Sequence, residues 1–181
     1  MIDRTQDADA VLLLRLGSSQ PGDALERLYD RFSSPVYRLA LGALRDPQLS
    51  EDVVQDTFVR LWRSARRFDP ARGRAATWVF SLARRSAIDA HRRRPPAAGE
   101  LPEDLADDDR FEALMTGVIV REALDALSPS HREVLELGYD ADLTQASIAA
   151  RLGVPLGTIK SRMHHALRAL RAALEERGID A

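Results

Sequence analysis

The sequence has no cysteine among its 181 residues. This absence excludes a disulfide framework, a thiolate nucleophile and cysteine-ligated zinc, and it fits a reducing compartment. Long apolar runs are also missing, because the run near the N-terminus, Val11 to Leu14, is far too short to span a bilayer. Asp3, Asp7 and Asp9 lie where a secretory signal carries positive charge. We therefore expect a cytoplasmic protein with no membrane insertion.

Features of enzymes are scarce as well. No glycine-rich phosphate loop, metal-ligand set or nucleophile–base pair stands out. His164 and His165 are adjacent, but neighbouring residues of a helix point about 100° apart, and no third ligand is evident. We expect no catalytic activity, no metal and no other cofactor.

Charge is nearly balanced overall, at −2, but it is unevenly distributed. Residues 57–94 carry eleven arginines and two acids, and residues 144–174 carry five cations and no acid. Residues 95–112 carry seven acids and one arginine. Two basic blocks around an acidic one indicate two surfaces for an anionic polymer, joined by a segment that does not bind it. For either block alone, a solvated helix face is the alternative interpretation.

An interdomain boundary follows the first basic block. Arg94 is followed by Pro95 and Pro96, and proline disfavours a helical residue before it and lacks an N–H donor. Residues 97–109 are small and acidic without an apolar period, which is typical of a linker. We predict an all-α protein of two small helical domains, residues 1–94 and 113–181, joined by an acidic linker, residues 95–112.

The N-terminal domain shows helical periodicity throughout. Ser33-Ser34-Pro35 predicts a break or kink in a helix over residues 23–44, and Ser50 is the predicted cap of the next helix, which reaches Arg67. A basic loop over residues 68–73 precedes a helix over residues 77–94. Trp62 is interpreted as a core residue, whereas Trp78 fits the core and a nucleic-acid contact equally well.

The C-terminal domain contains a predicted helix-turn-helix. Ser128 and Thr144 are helix caps, and Gly153-Val154-Pro155 is a tight turn before a helix that begins at Leu156. The second helix of this arrangement enters the major groove of DNA. Its predicted inward face comprises Leu156, Ile159, Met163, Ala166, Leu167, Leu170 and Leu174.

The opposite face of that helix carries the candidate DNA contacts. Thr158, Ser161 and His165 lie directly opposite the apolar stripe, and Lys160 and Arg162 lie on its flanks. Ser161 and His165 are the better candidates for reading bases, whereas the flanking cations suit phosphates. An intramolecular ion pair is the alternative role for Arg162.

These motifs resemble the extracytoplasmic-function (ECF) sigma factors. The stretch Leu127-Ser128-Pro129 to Leu135, followed by Ala149 to Arg162 with its Gly-Thr-Ile-Lys-Ser-Arg ending, is similar to sigma domain four. The N-terminal half resembles sigma domain two in Leu28-Tyr29-Asp30-Arg31-Phe32, in Glu51 to Phe58 and in Thr77-Trp78-Val79. The resemblance covers about residues 23–175 and departs from the common pattern at Ser147, where Glu is frequent, and at His165, where Arg is frequent.

The resemblance implies a transcription initiation factor that binds core RNA polymerase and promoter DNA and is controlled by an anti-sigma factor. A stand-alone helix-turn-helix regulator is the alternative. The implied polymerase-binding residues are Asp52, Gln55 and Asp56, although acids in the first turns of a helix also serve as dipole partners. The implied contacts to the melted minus-10 strand are Arg72, Arg74, Trp78, Arg84 and Arg85, and those to the minus-35 element are Thr158, Lys160, Ser161, Arg162 and His165.

Overall fold

The computed structural model describes residues 8–94 and 99–177, and the regular elements within these residues are helices, with no strand among them. This confirms the all-α prediction. Contacts along the chain define two compact units, with the division between Val118 and Ile119. Asp3, Asp7, Pro95 and Pro96, on which part of the sequence interpretation rests, lie outside the described residues.

The first unit is built on a core of large apolar side chains. Its helices are α1 (Ala8–Leu16), α2 (Ala24–Leu44), α3 (Pro47–Ser64) and α4 (Ala75–Arg92), with a 3₁₀ turn over Ala65–Arg67 after α3. Leu13, Leu28, Leu39, Leu61 and Phe80 are almost completely buried. Each contributes about 1.5–3 kcal/mol through removal of its side chain from water. In α2 the buried residues Leu28, Phe32, Val36 and Leu39 recur at steps of three and four, in agreement with the helical periodicity predicted for this domain.

The predicted break of α2 at Pro35 and the predicted cap of α3 at Ser50 are wrong, whereas a kink at Pro35 stays a prediction. α2 is continuous from Ala24 to Leu44 with Pro35 inside it, because the buried apolar stripe on both sides of Pro35 offsets the missing backbone hydrogen bond. Ser50 does not cap α3. Asp46 caps it instead, accepting from the Leu49 N–H at 3.0 Å, and Pro47 occupies the first turn, where its lack of an N–H costs little. Ser50 lies inside the helix, buried, and donates to the Asp46 carbonyl.

The acidic segment predicted as a linker contains helical structure. α5 (Glu103–Ala106) and the first residues of α6 (Asp108–Asp125) lie within it, and Leu105 is completely buried. A helix of four residues is too short to show an apolar period, so the sequence pattern did not reveal it. The division into domains over residues 1–94 and 113–181, with a linker over residues 95–112, stays a prediction.

The second unit contains the helix-turn-helix. Its elements after the last turns of α6 are α7 (Pro129–Leu135), a π-helical turn (Glu136–Asp140), α8 (Gln145–Leu152) and α9 (Leu156–Glu176). Ser128 accepts a hydrogen bond from the His131 N–H, and Thr144 accepts one from the Ser147 N–H, so both predicted caps are confirmed. The core comprises Leu127, Val134, Leu135, Ile148, Ala149, Ile159, Met163 and Ala166.

The apolar face of α9 is only partly covered. Ile159, Met163, Ala166 and Leu174 are buried as predicted, but Leu156 and Leu167 are each 41% exposed, and their predicted inward position is wrong. α9 has 21 residues, whereas α7 and α8 have 7 and 8, so the shorter helices cannot cover the whole stripe. The residues that join α9 to the core of the second unit are Ile159, Met163 and Ala166.

Candidate nucleic-acid and protein interfaces

The turn before α9 fixes how this helix is presented. Gly153 adopts φ +65° and ends α8 by donating its N–H to the Ala149 carbonyl, a backbone conformation that favours glycine. Pro155 then precedes the first turn of α9, and Ile159 and Met163 are buried against α7 and α8. The opposite face of the first turns of α9 therefore projects into solvent.

The predicted DNA contacts of α9 fall on or beside that face. Lys160, Ser161 and His165 are exposed, and Thr158 and Arg162 are half-buried. Lys160 and Arg162 form no ion pair within the described residues, so no internal carboxylate there neutralises them. Both side chains are available to an anion.

The histidine pair in α9 has the geometry expected of neighbouring helical residues. The rings of His164 and His165 lie 5.6 Å apart between centroids at an interplanar angle of 68°. Within residues 8–94 and 99–177, no group of three metal-binding side chains is present. His165 is exposed, and its spacing of four residues places it on the same face of α9 as Ser161.

The second predicted DNA surface lies at the start of α4 and in the loop before it. Arg72 is exposed, Arg74 is half-buried, and the half-buried Trp78 packs edge-on against the buried Phe68 with 6.0 Å between ring centroids. This contact ties the loop to α4 and leaves part of the indole accessible. Arg85 is exposed and lies on the same side of α4 as Trp78, because residues 78, 81 and 85 are spaced by three and four.

Arg84 differs from Arg85 although the two are adjacent. Arg84 Nε donates to the Leu105 carbonyl at 2.9 Å, Nη1 pairs with Asp108, and Cζ lies 4.8 Å from the centroid of the Phe111 ring. The guanidinium is therefore held by the acidic segment. Arg72 and Arg85 are thus exposed, Arg74 and Trp78 are half-buried, and Arg84 is held by the acidic segment.

The three residues predicted for polymerase binding line one cavity. Asp52 and Gln55 are exposed on α3, and Asp56 is half-buried and accepts from Arg93 Nη2 at 2.8 Å. The cavity has a volume of about 590 Å³, and its lining residues are Leu49, Asp52, Gln55, Asp56, Ala90, Arg93 and Arg94. One wall is thus acidic and polar, and the opposite wall, at the end of α4, is basic.

Trp62 is a surface residue, although the sequence pattern was interpreted as placing it in the core. It is 60% exposed on α3, so its assignment to the core is wrong, and Val59 on the same helix is 44% exposed. Residues 55, 59 and 62 are spaced by four and three, which places them on one helix face with Gln55. That spacing was a readable signal, since Phe58 and Leu61 already account for the buried face of this helix.

Internal ion pairs use several arginines of the first basic block. Arg60 pairs with Asp89 at 2.6 Å, Arg93 with Asp56, and Arg94 with Asp46. These pairs offset part of the positive charge of the block, so a charge count along the sequence overstates the cationic surface. Separately, none of the helices in the described part of the chain is long and apolar enough to cross a membrane.

Comparison with known proteins gives matches in both units. Residues 28–95 match the family described as Sigma-70 region 2, and residues 123–172 match Sigma-70, region 4. The ECF RNA polymerase sigma factor SigK of Mycolicibacterium vanbaalenii is 36% identical, over 94% of this chain and 90% of that protein. SigK of Mycobacterium tuberculosis is also 36% identical, over 94% of this chain and 95% of that protein.

Two solved structures are also similar to this chain. CnrH, in complex with the cytosolic domain of CnrY, is 29% identical, with a TM-score of 0.41 over 93% of this chain and 98% of that one. Rhodobacter sphaeroides SigE, in complex with the anti-sigma ChrR, is 29% identical, with a TM-score of 0.42 over 95% of this chain and 99% of that one.

Proposed function

Because this chain belongs to the extracytoplasmic-function family of RNA polymerase sigma factors, we propose that it contacts a promoter through two surfaces, one in each compact unit. It is a transcription initiation factor that acts with core RNA polymerase, and it is not an enzyme. The assignment of individual residues to each contact is our proposal. The observation that carries it is the exposed polar face of α9 opposite a buried apolar face.

The first contact is duplex reading of the minus-35 element by α9. A helix of this kind enters the major groove with its first turns against the base edges. Ser161 and His165 are exposed there and reach base edges, whereas Lys160 and Arg162 contact phosphates on the two flanks. Thr158, at the first turn, lies beside them. Neither Lys160 nor Arg162 forms an ion pair among residues 8–94 and 99–177, which supports this division of roles.

The second contact is capture of the melted minus-10 strand by the loop before α4 and by α4 itself. Single strands bind to cationic grooves that also offer aromatic rings to unstacked bases. Arg72, Arg74 and Arg85 supply positive charge beside Trp78, which the Phe68 ring holds in place. Holding an extruded base offsets part of the free energy lost on unstacking, so strand capture also favours promoter opening.

Core polymerase binds along α3. Asp52 and Gln55 are exposed and Asp56 is partly accessible, so this helix presents a polar and acidic surface to a basic partner. Val59 and Trp62 extend the same face with exposed apolar surface, and a large exposed ring is the kind of residue that anchors protein interfaces. We include both residues in the polymerase-binding surface.

Regulation and location follow from the family assignment. ECF sigma factors are usually held inactive by an anti-sigma factor, and we propose such a partner for this chain. Its contact surface would overlap the polymerase-binding residues, because covering them prevents assembly of the holoenzyme. The chain would act in the cytoplasm, where core polymerase is found.

Run-off transcription with purified core polymerase tests the promoter-specific function. We expect core plus this chain to give specific transcripts from fragments of its own genome, and the chain to co-purify with the largest polymerase subunits. A specific mobility shift by the chain alone, without any transcript in the presence of core, would instead favour a stand-alone helix-turn-helix regulator.

A further inference from the structure

The acidic segment of the first unit is bound to α4 at several points. Nε2 of the buried His91 lies 3.3 Å from the Gly99 carbonyl, eight residues along the chain. Further on, Leu105 is completely buried and Phe111 is 8% exposed. The segment Gly99–Phe111, called here the acidic strap, therefore packs along the side of α4 that contains His91 and Arg84.

Arg84 is the principal contact of the acidic strap. Its Nε bonds to the Leu105 carbonyl at 2.9 Å, its Nη1 pairs with Asp108, and its flat face lies over the Phe111 ring. The side chain keeps only 20% of its exposure, whereas the Asp108 side chain is 90% exposed. Two of the five N–H groups of the Arg84 guanidinium and one of its flat faces are therefore in use, and Asp108 offsets its charge, so Arg84 attracts a phosphate less strongly while the acidic strap is bound.

The strap also places negative charge beside the proposed strand-binding surface. Glu103, Asp107, Asp108 and Asp109 are exposed, and only Arg110 within the strap offsets them, through its pair with Glu103. Carboxylates at this position repel the phosphates of a strand that approaches α4. Arg85 is exposed and forms no ion pair within the described residues, so the strap restricts Arg84 and not its neighbour.

We propose that the acidic strap is an internal competitor of single-stranded DNA for Arg84, and that it leaves Arg84 when a DNA strand binds along α4. This inference rests on the proposed strand-binding function of α4. Phe111 and the Arg84 guanidinium become exposed together on release. The free chain therefore binds a single DNA strand more weakly than it would if the acidic strap did not contact Arg84.

The test uses the full chain and a fluorescein-labelled oligodeoxythymidine of about twenty nucleotides, with binding followed by fluorescence anisotropy. Asp108→Asn removes the ion pair to Arg84, and Asp109→Asn is the matched control. Both residues lie in the first turn of α6, and both substitutions remove one negative charge, but Asp109 has no ion pair within the described residues. We expect Asp108→Asn to bind about two- to fivefold more tightly than Asp109→Asn.

A double-mutant cycle assigns that gain to Arg84. In the Arg84→Ala background, the difference between Asp108→Asn and Asp109→Asn should disappear. Hydrogen exchange gives a second readout that does not depend on affinity. The amides of Leu105, Ala106 and Asp107 bond to carbonyls of Pro102 and Glu103, and we expect them to exchange faster when the oligonucleotide is bound.

Failure of the strap proposal is distinguishable from failure of the proposed function. Equal affinities of Asp108→Asn and Asp109→Asn, with unchanged exchange, would overturn the strap proposal alone if Arg85→Ala still weakens binding. No effect of either Arg84→Ala or Arg85→Ala would overturn the strand-binding role of α4 and the strap proposal together. Absence of binding by both the native chain and Asp108→Asn would also overturn the strap proposal, because release would then expose no DNA site.

Discussion

At the scale of single residues, partners decide which charges act outside the protein. Arg84 and Arg85 are adjacent, yet the first is held by Leu105, Asp108 and Phe111 and the second is exposed. Aromatic residues diverge in the same way, since Phe58 is buried and Trp62, four residues later, is exposed. Residue type alone therefore does not assign a role in this chain.

The first residue-scale prediction concerns Trp62. Trp62→Ala should change the free energy of unfolding by less than about 0.5 kcal/mol, because the ring is 60% exposed. Phe58→Ala is the matched control on α3. Its ring is buried and lies 4.8 Å from the Tyr29 ring, and its removal should cost about 3–5 kcal/mol. Urea unfolding followed by circular dichroism measures both, and similar losses for the two variants would contradict the exposed position of Trp62.

The second residue-scale prediction concerns Asp46. A hydrogen bond from the Leu49 N–H, assisted by Arg94, holds the pKa of the Asp46 carboxyl below its ordinary value. A carboxyl with a lowered pKa in the folded state stabilises the fold above its unfolded pKa, and this contribution is lost as pH falls through the folded pKa. Asp46→Asn keeps a good cap without the charge. The gap in melting temperature between the native chain and this variant should therefore narrow below about pH 4, and a constant gap would rule out the ionised carboxylate as its source.

At the scale of elements, α9 shows how anchoring and presentation depend on each other. Ile159 and Met163 fix the first half of the helix on the core, and this fixes the direction of Lys160, Ser161 and His165. The turn at Gly153 sets where the helix starts. Substitutions in the turn should therefore lower the free energy of unfolding, whereas substitutions on the exposed face should lower the affinity for DNA.

The third prediction concerns the cations of α9. Lys160→Ala and Arg162→Ala should each weaken binding uniformly across promoter variants and lower the slope of log affinity against log salt by about one unit. Arg171→Ala, which removes the same charge from a side chain paired with Glu175, is the control and should leave the slope nearly unchanged. Titrations at several salt concentrations give the slopes, and an unaltered slope for both test variants would exclude phosphate contacts.

Base reading by α9 gives the companion measurement. Substitution of Ser161 or His165 by Ala should change the preferred minus-35 sequence, because these exposed side chains lie on the face of α9 that we propose to enter the major groove. Selection of bound sequences from a randomised minus-35 library compares the preferences. An identical profile for the native chain and the variants would remove both residues from base reading.

The fourth prediction concerns Gly153. Gly153→Ala should destabilise the second unit by about 1–2 kcal/mol, since an L residue at φ +65° is strained even where its Cβ meets no other atom. Gly157→Ala is the control in the same unit. It lies in α9, its added Cβ also meets nothing within 4 Å, and it should be neutral or stabilising by up to about 1 kcal/mol. Equal effects on the unfolding midpoint would contradict the left-handed turn.

At the scale of the whole molecule, the proposed protein-binding helix and the two proposed DNA surfaces are divided between two compact units. The proposed polymerase and strand surfaces belong to the first unit, and the proposed duplex surface belongs to the second. Because the residues concerned do not overlap, polymerase binding and minus-35 recognition should be separable by substitution.

The fifth prediction tests that separation. Asp52→Arg combined with Asp56→Arg should abolish assembly with core polymerase while helical content persists, because the acidic face of α3 becomes basic. Lys160→Ala combined with Arg162→Ala should leave assembly intact and reduce promoter-specific transcription. Co-purification, circular dichroism and run-off transcription measure the three properties. Retained core affinity in the charge-reversed chain would refute the α3 surface.

The sequence alone was sufficient to predict most of the longer helices and the helix-turn-helix. Apolar periodicity indicated α2, α3, α4 and α9, the Ser128 and Thr144 caps were identified correctly, and Gly153 marked the turn before α9, whereas α1, α5 and α6 were not predicted. All of these depend on residues within a few positions of one another, where spacing and side-chain chemistry decide the backbone conformation. The family motifs are readable for the same reason, since each is a short continuous stretch.

Which of the predicted side chains are free depends on how the helices pack. Arg84 meets Asp108 24 residues away, and Arg94 meets Asp46 48 residues away, contacts that no local pattern contains. Leu105 is buried although its segment shows no apolar periodicity, and Trp62 is exposed although its helix shows a clear one. Both outcomes also depend on contacts between residues distant in sequence. The physical reason is that exposure and ion pairing are properties of packed helices, fixed by which residues meet across the fold and not by their neighbours along the chain.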